Sequence, residues 1–135
     1  MLQNDYLMRM ILQLIAAIRR ALLEQNREPG QKAEDVEAVV GQIVNMDPDL
    51  LFSLEPDSMV TMMQIDGSLD TETCGYVVES ILYEADFLDE AGQGQKAALR
   101  REQAQALAGA YGYTIGEKDI LAEDDALDDQ DAARG

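Results

Sequence analysis

The fold is decided by residues 70–111, DTETCGYVVESILYEADFLDEAGQGQKAALRREQAQALAGAY. Apolar side chains recur at three- and four-residue spacing in the first half, which is typical of a helix with one buried side: Cys74, Val77, Val78, Ile81, Leu82, Ala85 and Leu88. A Gly-Gln-Gly turn follows, and Gly112 is suited to end a second helix in the left-handed conformation. The pattern predicts helices over 70–90 and 95–111. We expect the second helix to face inward through Leu99, Ala106, Leu107, Ala110 and Tyr111.

Two further helices are predicted before this hairpin. The first covers residues 4–26, and its apolar side chains follow a period of 3.6 residues: Leu7, Met10, Ile11, Leu14, Ile15, Ile18 and Leu22. The sequence Glu28-Pro29-Gly30 predicts that this helix stops there. The second helix covers residues 31–45 and has a similar apolar stripe: Val36, Val39, Val40, Ile43 and Val44.

Residues 47–66 predict two short helical pieces. Asp47 and Pro48 have the order of an N-cap and a first-turn proline, and Pro56 interrupts the chain before a methionine-rich run. The run 60–65 is also compatible with a short strand, although no partner strand is evident. The predicted fold class is therefore all-α.

The predicted architecture is a small helical bundle, with a short solenoid-like stack of helical hairpins as the alternative. We expect residues 1–116 to form the helical domain. Residues 117–131 carry eight acids against one lysine. This composition predicts that residues 117–135 form an acidic, flexible tail, with one docked turn at Ile120-Leu121 as an option.

Charge limits the classes of partner. Residues 1–30 hold four arginines against three acids, whereas the other 105 residues hold six basic residues against 24 acids. Binding to a phosphate backbone depends on clustered Lys and Arg, so nucleic acid is not an expected partner. The uncharged run at residues 10–18 contains Gln13 and is too short to span a bilayer. With a single cysteine and no disulfide framework, we expect a cytoplasmic protein.

The residue types restrict the available chemistry. The chain has no histidine and one cysteine, Cys74. It therefore lacks the residues for histidine-dependent catalysis and for a thiolate zinc site. An EF-hand alignment starting at Asp70 places Cys74 at position 5 and Ile81 at position 12, where the calcium ion needs oxygen ligands. We therefore predict no catalytic, cofactor-binding or metal site. A reactive Cys74 is the alternative to a buried one.

Charged residues of the hairpin are expected to form surface ion pairs. Lys96, Arg100 and Arg101 lie on the second helix of the hairpin, and Glu79, Glu84 and Asp86 lie on the first. Surface pairs of this kind contribute about 0–1 kcal/mol each. We interpret the glutamates as a solvated face, and a partner-binding patch at the basic residues is the alternative.

The first helix has more apolar surface than one buried stripe requires. A second strip lies beside the first and consists of Met8, Leu12, Ile15, Arg19 and Leu23. Large exposed apolar patches usually mark contact surfaces. We therefore predict that this strip is an interface, for example in an isologous homodimer. Burial of both strips in an intramolecular groove is the alternative.

The opening Asp5-Tyr6-Leu7-Met8-Arg9-Met10-Ile11 resembles the start of a family of short uncharacterised bacterial proteins. That resemblance implies paired helices similar to tetratricopeptide hairpins. It implies no activity and no site residues.

Three functions remain compatible with these observations. The first is a non-enzymatic protein–protein interaction or self-association module. The second is an acidic, DNA-mimic-like inhibitor of a basic protein, suggested by the net charge of −17. The third is an enzyme that uses carboxylates. A deep pocket lined by perturbed acids would favour the enzyme.

Overall fold

A computed structural model describes residues 2–66 and 69–122, and within these ranges the chain forms helices and no strand. The predicted all-α fold is confirmed. Six helices follow one another: α1 (Leu2–Leu23), α2 (Pro29–Val44), α3 (Pro48–Phe52), α4 (Pro56–Asp66), α5 (Thr71–Glu90) and α6 (Gly94–Tyr111). A short helical segment begins at Ile120. The predicted acidic tail lies outside the described residues from position 123 onward.

Helix α5 is the centre of the bundle. It packs against α1, α2 and α6, while α3 contacts α2 and α4 contacts α6. Asp70 caps the helix, because its Oδ1 accepts a hydrogen bond from the Thr73 backbone N–H at 2.7 Å. Most residues of α5 are buried, including Val77, Ile81 and Ala85. The apolar stripe predicted for this helix is therefore the middle of the core.

Each of the three prolines is the first residue of a helix, namely α2, α3 or α4. Helix α2 begins at Pro29 instead of residue 31, because Glu28 has an extended backbone and proline is favoured in the first helical turn. Pro48 opens α3 in the same manner after the extended Asp47, and Pro56 is the first residue of α4. The run 60–65 is helical, so the alternative strand is wrong. Among residues 56–65 of α4, the buried side chains are Met59 and Met63, and their spacing of four residues is helical rather than strand-like.

The buried side of α6 differs from the predicted one. Ala110 is exposed, so its predicted inward position is wrong. The buried side chains are Ala97, Arg100, Gln103, Ala104, Leu107 and Ala108. These positions follow the helical period once Arg100 and Gln103 are counted as core residues. The prediction considered apolar residues only, and it therefore selected the wrong side at the end of the helix.

A close approach at Gly75 leads to the first testable prediction. A Cβ at Gly75 would lie 2.7 Å from the Tyr113 ring and 2.9 Å from the Lys118 side chain. Gly75→Ala should therefore destabilise the protein by about 1–3 kcal/mol through overpacking. Urea unfolding followed by circular dichroism measures this difference.

Gly109 on α6 supplies the matched control. A Cβ there would meet no atom within 4 Å. Gly109→Ala should therefore stabilise the protein by about 0.5–1 kcal/mol, because alanine is favoured over glycine in a helix. Equal effects of the two substitutions would contradict the close packing at Gly75.

Candidate functional site

A cluster of buried polar side chains lies where α2, α5 and α6 meet. The Arg100 Nε donates to Glu84 Oε2 at 2.9 Å, and Arg100 Nη2 donates to Glu37 Oε2 at 3.0 Å. Arg100 Nη1 donates to the Phe52 carbonyl at 2.9 Å, and the guanidinium lies 4.8 Å from the centre of the Phe52 ring. One guanidinium thus joins three helices to the end of α3.

Gln103 extends this cluster towards α4. Its Nε2 donates to the Leu54 carbonyl at 2.8 Å and to the Phe52 carbonyl at 3.2 Å. Its Oε1 accepts a bond from Arg100 Nη1 at 3.3 Å. Gln103 therefore satisfies carbonyl groups that the α3–α4 connection leaves without a helical partner.

Glu84 is the most perturbed acid of the cluster. Its side chain is 0% exposed, and burial raises its pKa from the ordinary value of 4.5 to about 10. The neighbouring Glu37 raises the pKa further through a hydrogen bond and its charge, while Arg100 acts in the opposite direction. Glu84 Oε1 has no hydrogen-bond partner among the described residues. A protonated Glu84 leaves one carboxylate and one guanidinium in the cluster, so its charges balance.

These observations contradict the interpretation of Glu84 as part of a solvated face. Arg100 also bonds to Glu37 and Glu84 in the interior rather than forming the predicted surface pairs, whereas Arg101 pairs on the surface with Asp86 at 3.0 Å and Asp89 at 2.6 Å. A carboxyl with a raised pKa beside a second carboxyl is typical of acid–base sites. However, Glu84 and Gln103 are 0% exposed, so a substrate has no access to them. The hydrogen bonds of Arg100 to Glu84 and Glu37 therefore hold α6 to α5 and α2.

A second polar cluster fastens the chain after α6 to α5. We call residues 112–122 the strap. Tyr113 Oη donates to Glu79 Oε2 at 2.5 Å, and the Gly116 backbone N–H donates to the same oxygen at 2.6 Å. Burial and the bond to Glu79 raise the Tyr113 pKa. The Lys118 ammonium lies 4.5 Å from the centre of the Tyr76 ring. Glu79 is therefore a structural acid that holds the strap.

The strap continues from α5 to α1. Ile120 is 1% exposed, and Leu121 packs against the core. Arg19 Nη2 donates to the Leu121 carbonyl at 2.8 Å. The packed chain thus extends beyond residue 116, where the sequence analysis placed the end of the helical domain.

The structure places the five predicted interface residues in different environments. Ile15 is 0% exposed and belongs to the core, so it offers no surface to a partner. Met8, Leu12 and Arg19 are half-buried, whereas Leu23 is 75% exposed. The predicted strip is therefore accessible mainly at the end of α1. Leu22, which was predicted to be buried, is 46% exposed there.

An open groove lies between α1 and α2. Its volume is about 550 Å³, and its lining combines small apolar residues with charged ones: Gln13, Ala16, Ala17, Arg20, Arg27, Asp35, Ala38 and Val39. Arg27 is paired with Asp35 at 2.5 Å across the groove. A second open groove, of about 590 Å³, begins at Leu23 and follows the chain to Arg27.

The other predicted features give no site. Cys74 is 0% exposed, and burial, followed by the charge of Asp70, raises its thiol pKa to about 12. Residues 2–66 and 69–122 contain no group of three or more His, Cys, Asp or Glu residues arranged to hold a metal ion. Within the same ranges, no helix combines the length and apolar character needed to cross a membrane.

Comparison of the chain with known protein families, curated proteins and solved structures found no match. The resemblance of residues 5–11 to short bacterial helical proteins therefore stays a prediction.

Proposed function

We propose that this chain is a non-enzymatic protein–protein interaction or self-association module, with its contact surface at the end of α1. The observation that carries the proposal is the exposure of two consecutive leucines, Leu22 at 46% and Leu23 at 75%. Large apolar side chains that remain in water at the end of a helix favour association, because covering them removes apolar surface from water.

The surroundings of the two leucines support a contact surface of useful size. A stable interface buries about 800 Å² on each partner, which two leucines alone do not supply. The groove that begins at Leu23 shares Arg27 with the groove between α1 and α2, which adds small apolar residues such as Ala16, Ala17 and Ala38. This mixture of an apolar centre with charged surroundings is typical of protein interfaces. Glu84 and Glu79 both form hydrogen bonds within the fold. Glu84 accepts a bond from Arg100, and Glu79 accepts bonds from the strap.

Replacement of Leu23 with glutamine tests the proposal. If two copies associate through this surface, the wild type at about 100 μM should scatter light as a dimer of the 14.9 kDa chain. Leu23→Gln should then shift the mass towards that of the monomer. Ile65→Gln on α4 is the matched control, because Ile65 is also 75% exposed and should leave the mass unchanged.

A monomeric wild type would exclude self-association. The proposal would then require that the surface at the end of α1 contacts a different protein. A photo-crosslinking side chain at position 23 should give a discrete covalent product in the native cell, and the same group at position 65 should not. The absence of a product specific to position 23 would contradict the proposal.

A further inference from the structure

Helix α1 exposes one continuous face along most of its length. The exposed side chains recur at spacings of three and four residues, so they lie on one side of the helix: Tyr6, Arg9, Gln13, Ala16, Arg20 and Leu23. We call these six residues the outer face of α1. Tyr6 is 49% and Leu23 is 75% exposed, so each end of the face carries a large apolar side chain in water. The helical rise places these two ends roughly 26 Å apart.

The outer face is positively charged in a strongly acidic chain. Residues 6–23 contain three arginines and no acid, although the whole chain has a net charge of −17. Arg9 and Arg20 are exposed, and neither side chain forms an ion pair with another of the described residues. Asp5 lies in the first turn of α1, before the outer face begins. An acidic group that approaches this face thus meets two arginines whose charge the fold does not neutralise.

The outer face borders the open groove between α1 and α2. Ala16 and Arg20 line that groove on α1, and Ala38 lines it on α2. Alanine side chains are short, so they let the backbone of a further helix come close. Arg27 and Asp35 also line the groove, but they neutralise each other through their ion pair. Both walls are helices whose backbone groups bond internally, so a helix suits this groove better than an added strand.

We propose that the outer face of α1 binds an acidic amphipathic helix of a different protein, which lies along the groove between α1 and α2. This helix brings apolar side chains to Tyr6 and Leu23 and carboxylates to Arg9 and Arg20. Because its rise per residue equals that of α1, its carboxylates repeat the spacing from residue 9 to residue 20. The choice of partner rests on the proposed function, since the helix covers the surface at the end of α1.

Charge argues against two other occupants of the outer face. Arg9 follows Tyr6 by three residues and Arg20 precedes Leu23 by three, so the face is alike from both ends. An isologous pair centred on it would set Arg9 of one copy against Arg20 of the other. Like charges placed opposite each other weaken association. An anionic membrane is disfavoured because most of the acidic chain is repelled by it.

Two synthetic helical peptides test the proposal with the full-length protein. Both are rich in alanine and glutamine and carry leucines about 17 positions apart; one adds two glutamates and the other two lysines, about 11 positions apart on the leucine side. In about 0.15 M salt, the glutamate peptide should shift the NMR signals of the α1 amides between Tyr6 and Leu23. The lysine peptide should leave these signals unchanged, although the rest of the protein is acidic.

Charge variants supply the matched controls. Arg9→Gln combined with Arg20→Gln should weaken binding of the glutamate peptide by about 2- to 30-fold, because two exposed ion pairs are lost. Lys96→Gln removes an exposed positive charge from α6 and should leave binding of this peptide unchanged. Arg9→Glu combined with Arg20→Glu should reverse the preference, so that the lysine peptide shifts the α1 signals instead.

Several outcomes would overturn the proposal. If the glutamate peptide at about 1 mM leaves the α1 signals unshifted, or if both peptides bind alike, charge does not select the partner. Preferential binding to phosphatidylcholine vesicles with about 30% phosphatidylserine would assign the face to a membrane. Shifts of the α1 signals with protein concentration alone would assign it to a second copy. A specific crosslink at position 23 without peptide binding would keep the proposed function and refute only the acidic helix.

Discussion

Replacement of Arg100 with methionine should lower the free energy of unfolding by about 3–5 kcal/mol, because it removes one partner from a buried ion pair. Arg100 donates to Glu84, Glu37 and the Phe52 carbonyl within the core. Methionine retains much of the side-chain length but supplies no donor. The half-buried Glu37 carboxyl would then lose the guanidinium that contacts it at 3.0 Å. Urea unfolding of the variant and the wild type measures the loss.

Arg101→Met is the matched control, since it removes the same functional group from the next residue of the chain. Arg101 is 38% exposed, and its partners Asp86 and Asp89 are 69% and 48% exposed. Surface pairs of this kind contribute about 0–1 kcal/mol. If the two substitutions cost the same, the buried cluster does not hold the helices in the manner described.

Glu84→Gln should change the dependence of stability on pH. The folded protein keeps a proton on Glu84 up to its raised pKa of about 10, whereas the unfolded chain loses that proton near 4.5. The folded state therefore binds more protons between these values, and Glu84 makes the free energy of unfolding fall as the pH rises. Glutamine resembles the protonated acid in shape and does not titrate. The variant should gain stability over the wild type by about 1.4 kcal/mol per pH unit within this window.

Unfolding curves of the variant and the wild type at pH 5, 6, 7 and 8 give the free energy of unfolding of each protein. The free energies of the two proteins are then compared at each pH. The other acids of the chain contribute to both proteins and cancel in that difference. Glu34→Gln, on the exposed side of α2, controls for the loss of one negative charge from the protein. If the difference in the free energy of unfolding between Glu84→Gln and the wild type is the same at every pH, Glu84 is ionised in the folded state.

Apolar periodicity predicted the helices well because most of the core is apolar. The stripe of α5, including Val77, Ile81 and Ala85, is buried as expected. The end of α6 was mispredicted because Arg100 and Gln103 occupy core positions with polar side chains. Burial of such residues depends on partners from distant parts of the chain, such as Glu37 and the Phe52 carbonyl, and local sequence does not indicate these pairings.

The predicted strip on α1 shows the same limit. Its members share one side of the helix, but the spacing does not indicate how wide the buried part is. Helix α1 packs against α2 and α5, Ile15 is 0% exposed, and the strap reaches Arg19 from more than 100 positions away. Leu22 and Leu23 remain exposed because α1 ends there. The sequence thus identified the helix but not which part of it remains accessible.

The bonds from Gln103 to the chain between α3 and α4 have a consequence for local unfolding. The carbonyls of Phe52 and Leu54 find their donors on α6, and α4 packs against α6. If α6 detaches, these carbonyls lose their protein donors and α4 loses the helix against which it packs. Elements that depend on one another in this way open as one cooperative unit. Helices α4 and α6 therefore belong to a single foldon, although the whole of α5 separates them along the chain.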